Sequence, residues 1–193
     1  PVVRGRTRLS RALDGIFGIP LDPAEAIVDV VAAEGSRWRL DLRTTFERQA
    51  FWSGRYDERT LVRLARRLRR GDVVIDVGAN IGFYTVRLGR ALARLGGGTV
   101  HAFEPIPGNA ARLAYNVAAN GLGEIVRVHE IALGASDGRV AFRTESHDAA
   151  SGPLLRSYLD DEIAPQLGAL GFSCRVVDHP IAGKNPFLLA ERI

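Results

Sequence analysis

The feature that most constrains the fold is a short apolar run that leads directly into a glycine-rich turn. Residues 73–76 read VVID, and the turn GANIG follows at residues 78–82. A continuous apolar run of this length is typical of a strand buried on both faces, as in a parallel sheet. The two glycines of the turn allow backbone conformations that residues with a Cβ rarely adopt. In open α/β sheets, ligands bind at such turns, beyond the carboxyl ends of the strands.

This strand is one of three that alternate with helices along the middle of the chain. Hydrophobic periodicity predicts helices over about residues 58–69, 83–95 and 108–119, and further strands at 99–104 and from Ile125. Short connections between parallel strands imply right-handed crossovers, so these units predict an α/β, Rossmann-like doubly wound sheet. Two later segments, 172–178 and 186–193, are predicted to form an antiparallel strand pair.

Residues 1–55 are predicted to form an N-terminal α/β extension or lid, and residues 56–193 the Rossmann-like domain. Within the extension, the Asp-Pro start and apolar spacing of residues 22–34 predict a helix. Residues 37–42 alternate between apolar and polar side chains, which predicts a half-buried strand. Four aromatic residues either cover the ligand-binding side of the domain as part of a lid or belong to its core: Phe46, Phe51, Trp52 and Tyr56.

Composition excludes several classes of protein. The single cysteine, Cys174, cannot form an intrachain disulfide, and no apolar run approaches the ~20 residues that span a bilayer, which predicts a cytoplasmic location. The net charge of +4 comes mainly from arginines within residues 4–11 and 63–70. No zinc pattern or groove-reading helix accompanies these arginines. We interpret them as a solvated face and expect neither nucleic acid nor a membrane as partner.

Three kinds of nucleotide ligand are considered for the glycine turn. A phosphate-binding loop requires a Lys-Ser/Thr pair after its glycines, whereas Phe83 follows Gly82. The dinucleotide fingerprint requires glycine at the third and sixth positions counted from Gly78, and these positions hold Asn80 and Phe83. S-adenosylmethionine remains compatible, because it has no pyrophosphate that must approach the backbone closely.

Side chains at the strand ends suit the polar parts of S-adenosylmethionine. Asp76 could accept a hydrogen bond from the ammonium group of the ligand, or hold the residues that contact the ligand. The N–H groups of the turn are expected to face the carboxylate of the ligand. Glu104 ends the second strand, where an acidic side chain accepts from ribose hydroxyls, and Pro105 then turns the chain away. Glu130 and Ile131, after the third strand, are candidates for contacts to the edge and face of the adenine.

A family resemblance is carried by three motifs: DVGANIGFYTVRLGR, HAFEPIPGNAARLAYNVAANGL and ALGASDG. Together they resemble the FkbM family of S-adenosylmethionine-dependent methyltransferases, over about Tyr56 to Thr144. The resemblance implies a first cofactor motif at Asp76, Gly78, Asn80 and Gly82, and a second at Glu104 and Pro105. Members usually methylate a hydroxyl of a sugar or secondary metabolite, so the resemblance implies an O-methyltransferase with a small-molecule or glycan acceptor.

The fourth and fifth core strands that this family should have are not evident between Thr144 and Gly171, and a gap is suspected around residues 149–160. Two hypotheses follow. Either residues are missing from the sequence, or a deletion has left a non-catalytic, methyltransferase-like remnant that acts as an interaction module. An uncovered sheet edge would favour a homo-oligomer. No catalytic base can be assigned, although His147 and Asp148 lie in a polar loop, and no cluster has metal-ligand spacing.

Overall fold

The computed structural model describes residues 12–18, 22–133, 165, 172–177 and 187–192. The chain divides into two compact units, Pro1–Leu133 and Gly134–Ile193. The predicted domain boundary at residue 55 stays a prediction. The loop with His147 and Asp148 and the suspected gap around residues 149–160 lie outside the described residues.

A β-hairpin leads the first unit. A helical segment over residues 12–17 and the short helix α1 (Pro23–Ala26) precede strands β1 (Ile27–Val31) and β2 (Arg37–Asp41), which pair antiparallel, and helix α2 (Thr45–Ser53) follows. The helix predicted over residues 22–34 is therefore wrong beyond Ala26. Isoleucine and valine are branched at Cβ and favour strands, and pairing with β2 overrides the helical spacing of the apolar residues. The predicted half-buried strand is confirmed as β2.

The predicted alternation of strands and helices follows the hairpin. Its elements are α3 (Glu58–Ala65), β3 (Val73–Val77), α4 (Phe83–Arg94), β4 (Thr99–Phe103), α5 (Pro107–Ala119) and β5 (Val126–His129). The three strands are parallel in the order β3-β4-β5, which confirms the α/β fold class. Two details differ from the prediction: α3 ends four residues early, and β3 is half-buried, with Val73 46% exposed.

Helices α4 and α5 cover one face of this sheet. Val100, Ala102 and Val126 are buried on that face, in one core with Leu92 and Leu113 from the two helices. The apolar stripes of the helices therefore pack where their sequence periodicity predicts.

Two histidines meet on the opposite face. Nδ1 of His101 on β4 lies 3.0 Å from Nε2 of His129 on β5, and the His129 ring stacks on Phe103 with 4.5 Å between ring centroids. Burial lowers the pKa of His101, and the neighbouring His129 and Arg127 lower it further. The sheet therefore holds a histidine that resists protonation.

We expect His101, packed against His129, to make the free energy of unfolding depend on pH below about pH 6.5. The folded-state pKa of His101 lies below its unfolded value, so the unfolded state takes up the proton first and the free energy of unfolding falls with falling pH. His101→Gln should flatten this part of the profile in urea unfolding between about pH 5 and pH 7.5. A profile unchanged by the substitution would contradict the assignment.

Two asparagines, one in α5 and one directly after it, fasten the hairpin to the core. Asn116 accepts from the N–H of Arg39 at 2.7 Å and donates to the carbonyl of Ile81 at 2.9 Å. Asn120 bonds both the N–H and the carbonyl of Arg37, at 3.0 and 2.7 Å. Unpaired strand edges are exposed to other partners, and these amides occupy the edge of β2. Asn116 also ties the hairpin to the glycine turn, to which Ile81 belongs.

The second unit contains the predicted antiparallel pair. Strands β6 (Phe172–Val177) and β7 (Phe187–Arg192) pair with Phe172 opposite Arg192 and Val177 opposite Phe187. The sequence-based prediction of this pair is confirmed.

Candidate functional site

The glycine turn joins the carboxyl end of β3 to the start of α4. Gly78, Asn80 and Gly82 have φ angles of +72°, +51° and +94°, in the left-handed region that glycine and, less readily, asparagine adopt. A Cβ on Gly82 would lie 2.5 Å from Cδ1 of Leu113, whereas a Cβ on Gly78 would meet nothing within 4 Å. The turn therefore needs glycine for its conformation at residue 78, and for both conformation and space at residue 82.

Glu104, just after β4, holds the turn from the neighbouring strand. Its side chain is buried; Oε2 accepts from the N–H of Asn80 at 2.8 Å and Oε1 accepts from the N–H of Ile106 at 3.0 Å. Each carboxylate oxygen has a second lone pair that can accept another hydrogen bond. The structure thus brings together Asn80 and Glu104, which come from two different predicted motifs.

Backbone N–H groups of the turn are used within the protein. Those of Gly78 and Ala79 donate to the carbonyl of Phe103 at 2.9 and 3.0 Å, and that of Gly82 donates to the carbonyl of Ala79 at 2.8 Å. The expectation that the turn's N–H groups face a ligand carboxylate is wrong for these residues and for Asn80. For Gly78 and Ala79 the reason is that hydrogen bonding to the end of β4 continues past Val77, the last residue of β3.

The side chain of Asn80 has an atom without a partner. Its Oδ1 is the one buried side-chain nitrogen or oxygen atom in the described part of the chain that forms no hydrogen bond. An unsatisfied buried acceptor costs about 1–3 kcal/mol. The turn therefore holds a buried acceptor to which no residue in the described part of the chain donates.

Asp76 lies beneath the turn. Its Oδ2 accepts from the Thr85 hydroxyl in the first turn of α4 at 2.5 Å. Burial raises the pKa of Asp76, Thr85 opposes the rise and the nearby Glu104 adds to it. This position is compatible with the supporting role considered for Asp76.

The remaining predicted residues lie at the same edge of the sheet. Pro105 directly follows Glu104 and is half-buried. The N–H of Glu104 donates to the carbonyl of His129 at 3.0 Å, so the ends of β4 and β5 are adjacent. Glu130 and Ile131, which follow β5, are exposed at this edge. Their predicted contacts with adenine stay a prediction.

A polar cluster between the start of α3 and the first turn of α4 was not predicted from the sequence. The Tyr84 hydroxyl donates to Oδ2 of Asp57 at 2.6 Å, and the Thr60 hydroxyl donates to Oδ1 of Asp57 at 3.0 Å. Burial raises the pKa of the adjacent Tyr56 to about 12, and the charges of Asp57 and Asp76 add to the rise. An available signal was Asp57 itself, since aspartate is favoured at the residue that caps a helix.

Three further observations concern metal ions, membranes and nucleic acids as possible partners. Within the described ranges, no group of three or more His, Cys, Asp or Glu side chains could hold a metal ion. None of the helices described there is both long and apolar enough to cross a membrane. The arginines of residues 4–11 lie outside the described residues, so the interpretation as a solvated face stays a prediction. The arginines that continue from α3 are exposed: Arg63, Arg66, Arg67, Arg69 and Arg70.

A family model described as the methyltransferase FkbM domain matches residues 76–171. These residues are an FkbM methyltransferase domain. The match begins at Asp76, so the FkbM domain includes all eight residues predicted to bind the cofactor: Asp76, Gly78, Asn80, Gly82, Glu104, Pro105, Glu130 and Ile131. The FkbM family uses S-adenosylmethionine, which confirms the expected cofactor.

The solved structures that match this chain are distant from it in sequence. TYW2 from P. horikoshii, in complex with MeSAdo, is 15% identical with a TM-score of 0.48, over 96% of this chain and 80% of that one. TYW2 from M. jannaschii, in complex with AdoMet, is 14% identical with a TM-score of 0.45, over 87% of each chain. Trm5b from Pyrococcus abyssi is 20% identical with a TM-score of 0.39, over 53% of this chain but only 28% of that one. Comparison with curated protein sequences gave no match.

Proposed function

We propose that this FkbM domain is an O-methyltransferase, which transfers the methyl group of S-adenosylmethionine to a hydroxyl of a sugar or secondary metabolite. The observation that carries the proposal is the buried Oδ1 of Asn80, which has no partner among the described residues, in a turn held by Glu104. Such an atom suits a ligand that brings its own hydrogen-bond donor to the carboxyl edge of the sheet.

The residues at this edge fit the polar parts of the cofactor. The Oδ1 of Asn80 is an acceptor, which suits the α-ammonium group of the methionine moiety. The Glu104 carboxylate retains lone pairs for the ribose hydroxyls. Glu130 and Ile131 would contact the adenine from the end of β5, and Asp76 supports the turn from below.

The role of the chain in the reaction is alignment. S-adenosylmethionine supplies an electron-poor methyl group on a sulfonium, and an in-line displacement depends above all on how the reacting groups are oriented. The turn is suited to hold a ligand firmly, because the N–H groups of Gly78 and Ala79 bond the last residue of β4 and the final glycine of the turn lies against Leu113. A hydroxyl acceptor also needs a base. We keep His147 and Asp148, outside the described residues, as candidates for that base.

We propose a small-molecule or glycan acceptor rather than a nucleic acid or a membrane, and a cytoplasmic location. The exposed arginines that could attract a polyanion continue to Arg70. The next residue, Gly71, donates its N–H to the carbonyl of Gly97 just before β4, so the run ends at the amino ends of the strands. The glycine turn lies at the opposite, carboxyl end of β3. A nucleic acid bound to the arginines would therefore lie away from the cofactor.

The acceptor class is tested by transfer of a labelled methyl group from S-adenosylmethionine to three sets of acceptors: sugars and glycans, hydroxylated secondary metabolites, and RNA. Label on a hydroxyl of either small-molecule set supports the proposal. Label in RNA alone would overturn the acceptor class while leaving the methyltransferase activity standing.

The role of Asn80 gives a sharper prediction. Asn80→Ala should weaken binding of S-adenosylhomocysteine by about tenfold or more, because the acceptor for the ammonium group is lost. Asn80→Asp keeps an oxygen acceptor and a residue type that tolerates the left-handed conformation, so its affinity should stay close to wild type. Calorimetric titration compares the three proteins. Equal affinities for Asn80→Ala and wild type would show that Oδ1 does not face the ligand.

A further inference from the structure

A cavity of about 280 Å³ lies within the first unit, between the hairpin, α2, α3 and α4. Its lining includes Trp38, Phe51, Tyr56 and Phe83. An apolar cavity of about 150 Å³ is enough to hold benzene. This cavity is therefore large enough for a fused ring system.

The aromatic walls of the cavity are stacked on each other. The Tyr56 ring packs on Phe83 with 4.2 Å between centroids and an interplanar angle of 13°, and Trp38 packs on Phe83 at 4.9 Å. The indole N–H of Trp38 already donates to the Ser36 hydroxyl at 2.7 Å. Rings held in this way present fixed apolar faces and edges, against which another ring can pack.

The charged residues of the lining are not balanced. Arg87 donates to Glu34 at 3.0 Å and to Glu58 at 2.7 Å, so two carboxylates surround its charge. Arg55 also lines the cavity, is exposed, and forms no ion pair with any residue in the described part of the chain. A guanidinium binds carboxylate and phosphate groups through two parallel hydrogen bonds. The lining therefore combines apolar ring faces with one cation that is available to an anion.

We propose that this cavity binds a small aromatic or fused-ring molecule that carries a carboxylate or phosphate group. The ring packs on the aromatic wall at Phe83, and the anionic group pairs with Arg55. The site is separate from the glycine turn, because neither Asn80 nor Glu104 lines it. The two sites are connected through Phe83, which directly follows Gly82 and begins α4.

The test uses two probes of nearly the same shape, indole-3-acetate and the neutral indole-3-acetamide, titrated into the full chain in a calorimeter. We expect the anion to bind about tenfold more tightly than the amide. Arg55→Gln should remove that difference and change the affinity for the amide by less than about twofold. Ala50→Phe should abolish binding of both probes, because Ala50 lines the cavity and a phenyl group fills it.

A second blocking variant guards against misfolding of Ala50→Phe. Val31 lines the cavity but is 67% exposed, so Val31→Trp should obstruct it without disturbing the core. Loss of binding in a blocking variant whose circular dichroism matches wild type supports the proposal. Absence of binding to wild type at about 10 mM of either probe would overturn it. Binding that persists in both blocking variants, or an anion preference that survives Arg55→Gln, would overturn it equally.

Discussion

Replacing Arg112 by methionine is expected to lower the free energy of unfolding by about 4 kcal/mol. Nη1 of Arg112 on α5 lies 2.8 and 2.7 Å from the two carboxylate oxygens of Glu47 on α2, and Glu47 is fully buried. Methionine retains most of the side-chain volume but leaves the Glu47 carboxylate without its cation. Breaking a buried ion pair by removing one partner is costly because the other charge stays desolvated.

The loss should depend on pH. Burial raises the pKa of Glu47 above its usual value, and Arg112 opposes that rise, so the rise becomes larger without the arginine. Since the folded-state pKa then lies above the unfolded value, the contribution of this group to stability is full below about pH 4.5 and is lost as the pH rises through the folded-state pKa. Arg112→Met should therefore approach wild-type stability in acid and fall furthest below it above neutrality.

Urea unfolding at about pH 5 and pH 8 measures both effects. The matched control is the double variant Arg112→Met with Glu47→Gln, which removes the charge that the single variant exposes. We expect the double variant to recover part of the lost stability at the higher pH. A single variant that is equally destabilised at both pH values and is not rescued by Glu47→Gln would show that Arg112 acts by packing alone.

Replacing Gly82 by alanine is expected to cost about 3 kcal/mol, whereas Gly78→Ala should cost about 1 kcal/mol. Both residues have positive φ angles, so both variants carry backbone strain. Only at residue 82 does the added Cβ meet another atom, Cδ1 of Leu113 at 2.5 Å, and Leu113 is itself fully buried. The difference between the two variants isolates the steric contact from the conformational strain.

Chemical denaturation of the two glycine variants checks this expectation. A third variant, Gly82→Ala with Leu113→Ala, removes the methyl group that the new Cβ would meet. The interaction energy between these two substitutions should be favourable, because the clash exists only when both side chains are present. Equal losses for Gly78→Ala and Gly82→Ala, or simple additivity in the double variant, would contradict the steric explanation.

Local pattern was enough to predict the central elements of the fold. Three patterns depend only on neighbours in sequence: the run VVID, the glycines of the turn, and the apolar spacing of α4 and α5. Strand β3, the turn and both helices lie where these patterns predict. The same rule failed at β1, where helical spacing of valines and isoleucines is overridden by pairing with β2. Pairing between strands is a tertiary interaction that periodicity does not contain.

Contacts between residues far apart in the sequence, including those of the candidate site, were harder to predict. The bond from the N–H of Asn80 to Glu104 joins residues 24 apart, and the pair of Glu47 with Arg112 joins residues 65 apart. Each depends on how elements pack, which the sequence specifies only through the whole fold. The unpartnered Oδ1 of Asn80 is still harder to predict, because it depends on what every neighbouring donor already bonds.

The most direct test of the central claim, that the turn held by Glu104 binds S-adenosylmethionine, is calorimetric titration with S-adenosylhomocysteine of wild type and Glu104→Gln. Glutamine can accept from only one of the two N–H groups that the carboxylate holds, those of Asn80 and Ile106. We predict that wild type binds, and that the variant binds about thirtyfold more weakly, which corresponds to about 2 kcal/mol. No binding to wild type at about 1 mM, or equal binding by Glu104→Gln, would contradict the claim.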